Sequence, residues 1–506
     1  MKSKLLFWHD ASVVHYAIAK YIQDNFDCEL FAIFDVADKP RKFFENQKFV
    51  KYKKVWFYHD FILKTKRKPD LEYLKSIEEK YKIPLWLIAT NDRFFNHFNI
   101  YYKFSYDEIL LILEDEIKNF ERILDEVNPD YMIFYEYHQQ HNYIFYLMCK
   151  ARKIKILMMV DTRTIMNSYH GKRKEINYYL TAEMDEFLPL PNILKTSTYK
   201  GVVSKDNSGV NNSNSSNLDL TPIHNSTPKY FSAFLKYLFT NDTNVKTHFS
   251  YFGRSKLKVI FKTIAYELRA KYRENFMKKN LNYAVPDDSP FIYFPLHQEL
   301  ERILLISAPF YTNQLEQIKN IAQSLPIGYK LYIKEHPGMR LRGWRSISEM
   351  KKIMKLHNVC LFHPSVEQTE LISKCDLVIS IKGTAAIEAA FHKKPSIIFE
   401  NVGVYQLSSI HKLKNITELP NAIKNSLKMK IDPNEINTYV TASNQISFES
   451  EFAKIEETFQ EQFGVGGYYV NVEIDSQKMK EFLEKFRLEL TELAMAHIKK
   501  IKELSN

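Results

Sequence analysis

Between Phe291 and Phe399 the chain alternates short apolar runs with amphipathic stretches, and this constrains its fold more than any other feature. The apolar runs fall at Phe291–Pro295, Tyr329–Ile333, Val359–Phe362, Leu377–Ile381 and Ser396–Phe399. Each has the length of a buried strand and is too short for a helix. Helical spacing fills the gaps near Gln314–Ser324, Ile347–Leu356, Val366–Lys374 and Ala385–His392. Strands separated by helices pair in parallel, which predicts a sheet covered on both faces.

The first 200 residues carry the same signal less regularly. Strands are predicted at Leu5–Trp8, Leu30–Phe34, Tyr131–Phe134 and Ile154–Val160, with helices over Val13–Asp24, Asp107–Val127 and His141–Lys153. At 506 residues the chain is too long for one ordinary core. The fold class is therefore α/β, with two Rossmann-like domains, 1–200 and 286–430, facing each other across a cleft. Between them, Lys205–Pro228 is rich in Asn and Ser and reads as a loop or linker within 201–285. A tail over 431–506 ends in one long amphipathic helix, Ser476–Leu504, with Met479, Phe482, Leu483, Phe486, Leu488 and Leu490 apolar.

Charge narrows the partners. A formal net charge of +11 and a pI near 9.0 fit nucleic acid, an anionic membrane face or an anionic substrate. No nucleic-acid-binding signature is present, so nucleic acid is not expected as a partner. The segment 254–279 interleaves Arg254, Lys256, Lys258, Lys262, Arg269, Lys271, Arg273, Lys278 and Lys279 with Leu257, Ile260, Phe261, Ile264 and Leu268. It reads either as an amphipathic helix on anionic lipid or as a solvated helix joining two domains. Cys28, Cys149, Cys360 and Cys375 are widely spaced in apolar contexts, as reduced buried thiols are. Without a signal core or a membrane-length apolar run, the chain is expected in the cytoplasm, peripheral at the inner membrane face.

Two turns carry the chemistry. Lys334-Glu335-His336-Pro337 follows an apolar run, and Pro337 ends that strand sharply by restricting His336 to extended geometry. The imidazole can then donate to a phosphate oxygen or protonate a leaving phosphate, with Lys334 and Arg340 adding positive charge. Lys382-Gly383-Thr384 follows the next-but-one run. Here Gly383 permits close approach, Thr384 can cap the following helix or bond an oxyanion, and Glu388 can accept from ribose hydroxyls. His363-Pro364 is a second His-Pro pair, read as structural with Ser365 as a helix cap. No GxGxxG and no GxxxxGK[ST] occurs, which excludes dinucleotide and P-loop readings.

In order along the chain, Phe294-Pro295-Leu296-His297-Gln298, Leu325-Pro326-Ile327-Gly328-Tyr329, Lys334-Glu335-His336-Pro337 and Cys375–Ser380 with Gly383-Thr384 and Glu388-Ala389 resemble a known group. They are similar to the capsular polysaccharide synthesis (Kdo transferase-like) glycosyltransferases, which have the GT-B fold, over residues 290–405. The resemblance implies a nucleotide-sugar donor held by His336 and Thr384, and a polysaccharide or glycolipid acceptor. Teichoic-acid glycerophosphotransferases carry a similar Lys-x-His-Pro turn, so a CDP-alditol phosphotransferase is the alternative. A non-catalytic scaffold of capsule assembly is another.

Acceptor-side catalysis is expected from strand ends of the first domain: His9, Asp10, Glu136 and Asp161. A carboxylate there can act as a general base or as a nucleophile. Asp161 ranks first, because Arg163 follows and could bind an anionic sugar, and Glu136 second. The histidines are dispersed, so neither a metal nor another cofactor is expected.

Overall fold

A computed structural model describes residues 2–10, 14–36, 38–62, 67–97, 100–162, 176–184, 188, 249, 252–286, 289–402, 405–432, 434–463 and 473–505. The Asn/Ser-rich segment and Arg163 lie outside these. The chain divides into two compact units. The first is built mainly from Met1–Met184 and Ser447–Asn506, and the second includes Ser255–Ile446.

In the first unit the strands are β1 (Ser3–His9), β2 (Cys28–Phe34), β3 (Tyr52–Phe57), β4 (Tyr131–Phe134), β5 (Lys155–Asp161) and β6 (Ile176–Thr181). They lie in the order β6-β5-β4-β1-β2-β3. All pairs are parallel except β5 with β6. The helix Tyr106–Val127 shows how local sequence sets an element. Ser105 and Glu108 form a reciprocal capping box at its start, and Asn128 ends it in the left-handed region at φ 45°.

The second unit contains β7 (Phe291–Pro295), β8 (Lys330–Lys334), β9 (Val359–Phe362), β10 (Leu377–Ser380), β11 (Ser396–Ile398) and β12 (Ile410–Lys412). Their order is β12-β11-β10-β7-β8-β9, and every pair is parallel. This is the doubly wound Rossmann order, reversing between β7 and β10. Along β7, Ile292 and Phe294 enter the core on one face while Phe291 and Tyr293 enter the core on the other. Burial on both faces explains why these strands read as unbroken apolar runs. Two Rossmann-like units in one chain match the GT-B-like α/β class expected from the sequence.

The expected tail over 431–506 is divided. The helix Glu435–Ile446 belongs to the second unit, whereas the residues from Ser447 onward belong to the first. There β13 (Phe448–Ser450) adds antiparallel to β6. The long terminal helix is two helices, Ser476–Lys485 and Arg487–Ser505, parted at Phe486, which leaves helical geometry at ψ 23°. Leu490, Leu493, Ile498 and Ile501 join the first unit's core, and Tyr131 Oη donates to the Ile501 carbonyl at 3.0 Å. Leu488, expected on the apolar face, is 77% exposed. It stands two residues from Phe486 and so points to the opposite side of the helix.

Candidate functional site

In a doubly wound sheet, the crevice opens at the carboxyl ends of the strands that flank the reversal. Three turns leave that edge of the second unit, after β7, β8 and β10, and His297 joins two of them. Its backbone N–H donates to Gln314 Oε1 at 2.7 Å, and its carbonyl accepts from Gln314 Nε2 at 3.0 Å. Its ring Nε2 accepts the Lys382 backbone N–H at 3.3 Å, with Ser380 Oγ 3.4 Å away. The ring is thus neutral with its proton on Nδ1. Burial, and then the nearby His336, push the His297 pKa down to about 3. Gly383 packs against the same ring. A Cβ there would stand 2.5 Å from Ser380 Oγ and 3.2 Å from His297 Cε1, so the close approach requires glycine.

The β8 turn presents His336. Pro337 follows it, and His336 is extended at φ −72° and ψ 127°. Its Nδ1 accepts the Gly338 N–H at 3.0 Å, so Nδ1 carries no proton and Nε2–H is the ring's donor. Burial, and then the Lys334 charge, lower its pKa to about 4. At neutral pH His336 is therefore an uncharged hydrogen-bond donor.

Lys334, at the end of β8, is 8% exposed. Among the described residues its ammonium has no acceptor within hydrogen-bond distance. Burial brings its pKa down to about 8 against the opposing pull of Glu367 and Glu388. A buried cation held only by longer-range attraction is suited to receive an anion.

The turn is braced from behind. Arg345 is 1% exposed, and its Nε donates to Glu335 Oε2 at 2.8 Å. Its Nη1 donates to Glu349 Oε1 at 2.8 Å and to Glu299. Glu335 Oε1 accepts the His336 backbone N–H at 3.0 Å, so the buried ion pair fixes the residue that carries the imidazole.

After β10 the side chains are committed differently from the expectation. Thr384 makes no side-chain capping bond; its Oγ1 donates to Glu388 Oε1 at 3.1 Å. Glu388 Oε2 accepts from Gln368 Nε2 at 2.6 Å. The Glu388 carboxylate therefore reaches a ribose only through its remaining lone pairs. His363 has a local role. Its Nδ1 lies 2.7 Å from Ser365 Oγ, and its ring stacks on Tyr283 at 4.6 Å. Ser365 does not cap a helix, because the next one begins at Gln368 with Glu367 at its N-cap.

The first-unit candidates are spread over the strand ends. Asp161 is the last residue of β5, in register with Tyr178 of β6, and Glu136 lies two residues beyond β4. Both are half-buried. His9 is instead a core residue: its ring packs on Phe34 at 4.8 Å, its Nε2 meets Tyr52 Oη at 2.7 Å, and burial holds its pKa well below the ordinary value.

Sequence reasoning missed a polar cluster nearby. Asp35, just after β2, takes His141 Nε2 on Oδ2 at 2.9 Å and His59 Nε2 on Oδ1 at 3.2 Å. Burial pushes the Asp35 carboxyl up, but the two imidazoles outweigh it and hold its pKa well below the ordinary value. The His141 ring is stacked on Tyr58 at 4.2 Å and on Trp8 at 5.6 Å. Behind it Glu116 is fully buried and accepts from Tyr58 Oη and Gln140 Nε2, and burial raises its pKa well above the ordinary value. Only Asp35, a carboxylate at a predicted strand end, was visible by the criterion that selected Asp161.

Among the described residues no group of three or more His, Cys, Asp or Glu side chains could hold a metal ion, and no helix is long and apolar enough to cross a membrane. No protein-family model and no curated protein matches the chain. Solved structures similar to it include the UDP-GlcNAc 2-epimerase of Neisseria meningitidis bound to UDP-GlcNAc, at 13% identity over 87% of this chain and 98% of that one, with a TM-score of 0.25. Another is the Methanocaldococcus jannaschii UDP-GlcNAc 2-epimerase in complex with UDP-GlcNAc and UDP, at 12% identity, 88% and 100% coverage, and a TM-score of 0.26. A third is the beta Kdo 2,7 transferase KpsC of Thermosulfurimonas dismutans, at 11% identity, 64% and 80% coverage, and a TM-score of 0.29. The fold rests on the strand orders of the two sheets.

Proposed function

We propose that the chain is a glycosyltransferase that moves a sugar from a nucleotide-sugar donor to a surface polysaccharide or glycolipid acceptor at the inner membrane face. The observation that carries this reading is the set of turns at the β7–β10 reversal. His336 offers a neutral Nε2–H and Lys334 a buried ammonium, while Gly383 brings the neighbouring backbone close. A diphosphate or phosphate ester suits such donors. In the transfer, the bond between the anomeric carbon and the donor phosphate oxygen breaks, and a bond to the acceptor hydroxyl oxygen forms. His336 and Lys334 stabilise the departing phosphate. The hydroxyl proton passes to a general base, for which the candidates rank Asp161 first, Glu136 second and Asp35 with its two histidines third.

Incubation with a panel of nucleotide sugars and lipid-extract acceptors, read by mass spectrometry, tests the proposal. The expected product gains one glycosyl residue, and His336→Ala abolishes it. A product gaining an alditol phosphate from a CDP donor would replace this reading with the phosphotransferase. No product from any donor, with no nucleotide bound, would favour a scaffold.

A further inference from the structure

The helix Lys256–Asn280 is 25 residues long, yet Met277 is the only residue in it that is buried. Leu257, Phe261, Ile264, Leu268 and Tyr272 are 64%, 69%, 52%, 66% and 70% exposed. At about 100° per residue these five fall within an arc of about 80°. Tyr266, Arg273 and Met277 fall about 160° away from the middle of that arc. They are the residues that seat the helix on the second unit. Arg273 Nη1 donates to the carbonyls of Gly343 at 3.1 Å and Trp344 at 2.7 Å, and Met277 enters the core. Gly343 is left-handed at φ 73°, and a Cβ there would stand 2.9 Å from the Tyr266 ring, so the seat also requires glycine. The apolar stripe therefore points away from the second unit, which carries the helix. Large apolar side chains in a continuous exposed row mark a surface that meets something apolar.

Charge identifies what it meets. The helix carries eight basic and two acidic side chains, a net charge of +6. Lys262 and Arg269 lie on one flank of the stripe and Lys271 and Lys278 on the other. An apolar face bordered on both sides by cations fits the boundary between acyl chains and anionic headgroups, where the stripe enters and the flanks pair with phosphate. We infer that this helix docks the chain on the surface of an anionic bilayer, lying in its plane. The seat adjoins the candidate site in the same unit, since Trp344 precedes Arg345, which braces Glu335 and His336. Docking would thus hold the donor turn at a fixed place relative to the lipid. The inference does not depend on the nucleotide reading.

Co-sedimentation of the full chain with phosphatidylcholine vesicles, with and without about one-third phosphatidylglycerol, tests it. Binding is expected to be at least about tenfold stronger to the anionic vesicles and to weaken with salt. The triple variant Leu257→Ser, Phe261→Ser, Leu268→Ser should lose binding while keeping its melting temperature, because these side chains are exposed. Lys262→Glu, Arg269→Glu, Lys271→Glu should lose the anionic preference. In Phe261→Trp the introduced indole should shift its emission to the blue on anionic vesicles. Equal binding to both vesicle types, or an unshifted indole, would overturn the inference. So would a dimer in sedimentation analysis that the serine variant dissolves, which would assign the stripe to a second copy of the chain.

Discussion

Replacing Arg345 by Met removes a guanidinium that is fully buried and bonded to three carboxylates. Glu299 and Glu349, at 32% and 27% side-chain exposure, can take up water when their partner is gone. Glu335, at 1%, cannot. An uncompensated charge left by breaking a buried pair costs about 3–5 kcal/mol. For a unit of roughly 200 residues, 1 kcal/mol shifts the midpoint by about 2–4 °C, so the second unit should melt roughly 6–20 °C lower. Calorimetry on the full chain would follow its transition. The double variant Glu335→Met, Arg345→Met should recover most of the loss, since an apolar pair of similar volume is often as stable as the ion pair it replaces. Nucleotide affinity should stay low in the double variant, because the His336 N–H has lost its acceptor at Glu335. A single variant within about 1 kcal/mol of wild type would refute the reasoning, because Glu335 would then have a route to water that its burial denies.

The site makes further predictions. Gly383→Ala places a methyl against Ser380 and the His297 ring, and should cost about 1–3 kcal/mol in urea unfolding together with most nucleotide affinity. His297 and His336 have folded pKa values of about 3 and about 4, below the ordinary value of about 6.5. The unfolded chain takes up these protons first, so stability is present above about pH 6.5 and lost as pH falls toward 3. The urea midpoint should drop across that window, less so in His297→Gln, and a flat midpoint between pH 7 and 5 would count against buried neutral rings. Lys334 titrates near 8, so nucleotide affinity measured by calorimetry should weaken as pH rises through that value. Lys334→Met should remove that dependence. His363→Ala should leave nucleotide binding unchanged, because its ring is occupied by Ser365 and Tyr283.

The parallel sheets were legible because their strands are buried on both faces and read as apolar runs. β4, β7 and β9 were placed to the residue, β10 and β11 within one residue at one end, and β8 shifted by one residue at both ends. The edge strands β12 and β3 were not legible, whereas β9, an edge strand with an apolar run, was. β12 has His411 exposed and Lys412 partly so, and β3 contains Lys53 and Lys54 exposed, so neither offers a continuous apolar signal. β13 pairs with β6 from far along the chain, and no local pattern marks such a partner. The geometry of the turn after β8 was legible from His336-Pro337, since a proline after a strand has a local geometric consequence. Its brace was not, because Arg345 lies ten residues downstream and reads there as an ordinary surface arginine. The Asp35–His59–His141 cluster draws on three separate segments, and only the sheet brings them together.

Nucleotide binding tests the central claim most directly. Calorimetric titration of the wild-type chain with CMP, UDP, GDP and CDP, repeated on His336→Ala, needs neither the donor sugar nor the acceptor. One nucleotide is expected to bind, stabilising the second unit by about 2.7 kcal/mol at a hundredfold excess over Kd. His336→Ala loses the bond to the Gly338 N–H, so its melting temperature without nucleotide should fall by only a few degrees, while affinity should fall at least about tenfold. Equal affinity in the wild type and His336→Ala, or no binding of any nucleotide to the folded wild type, would contradict the account.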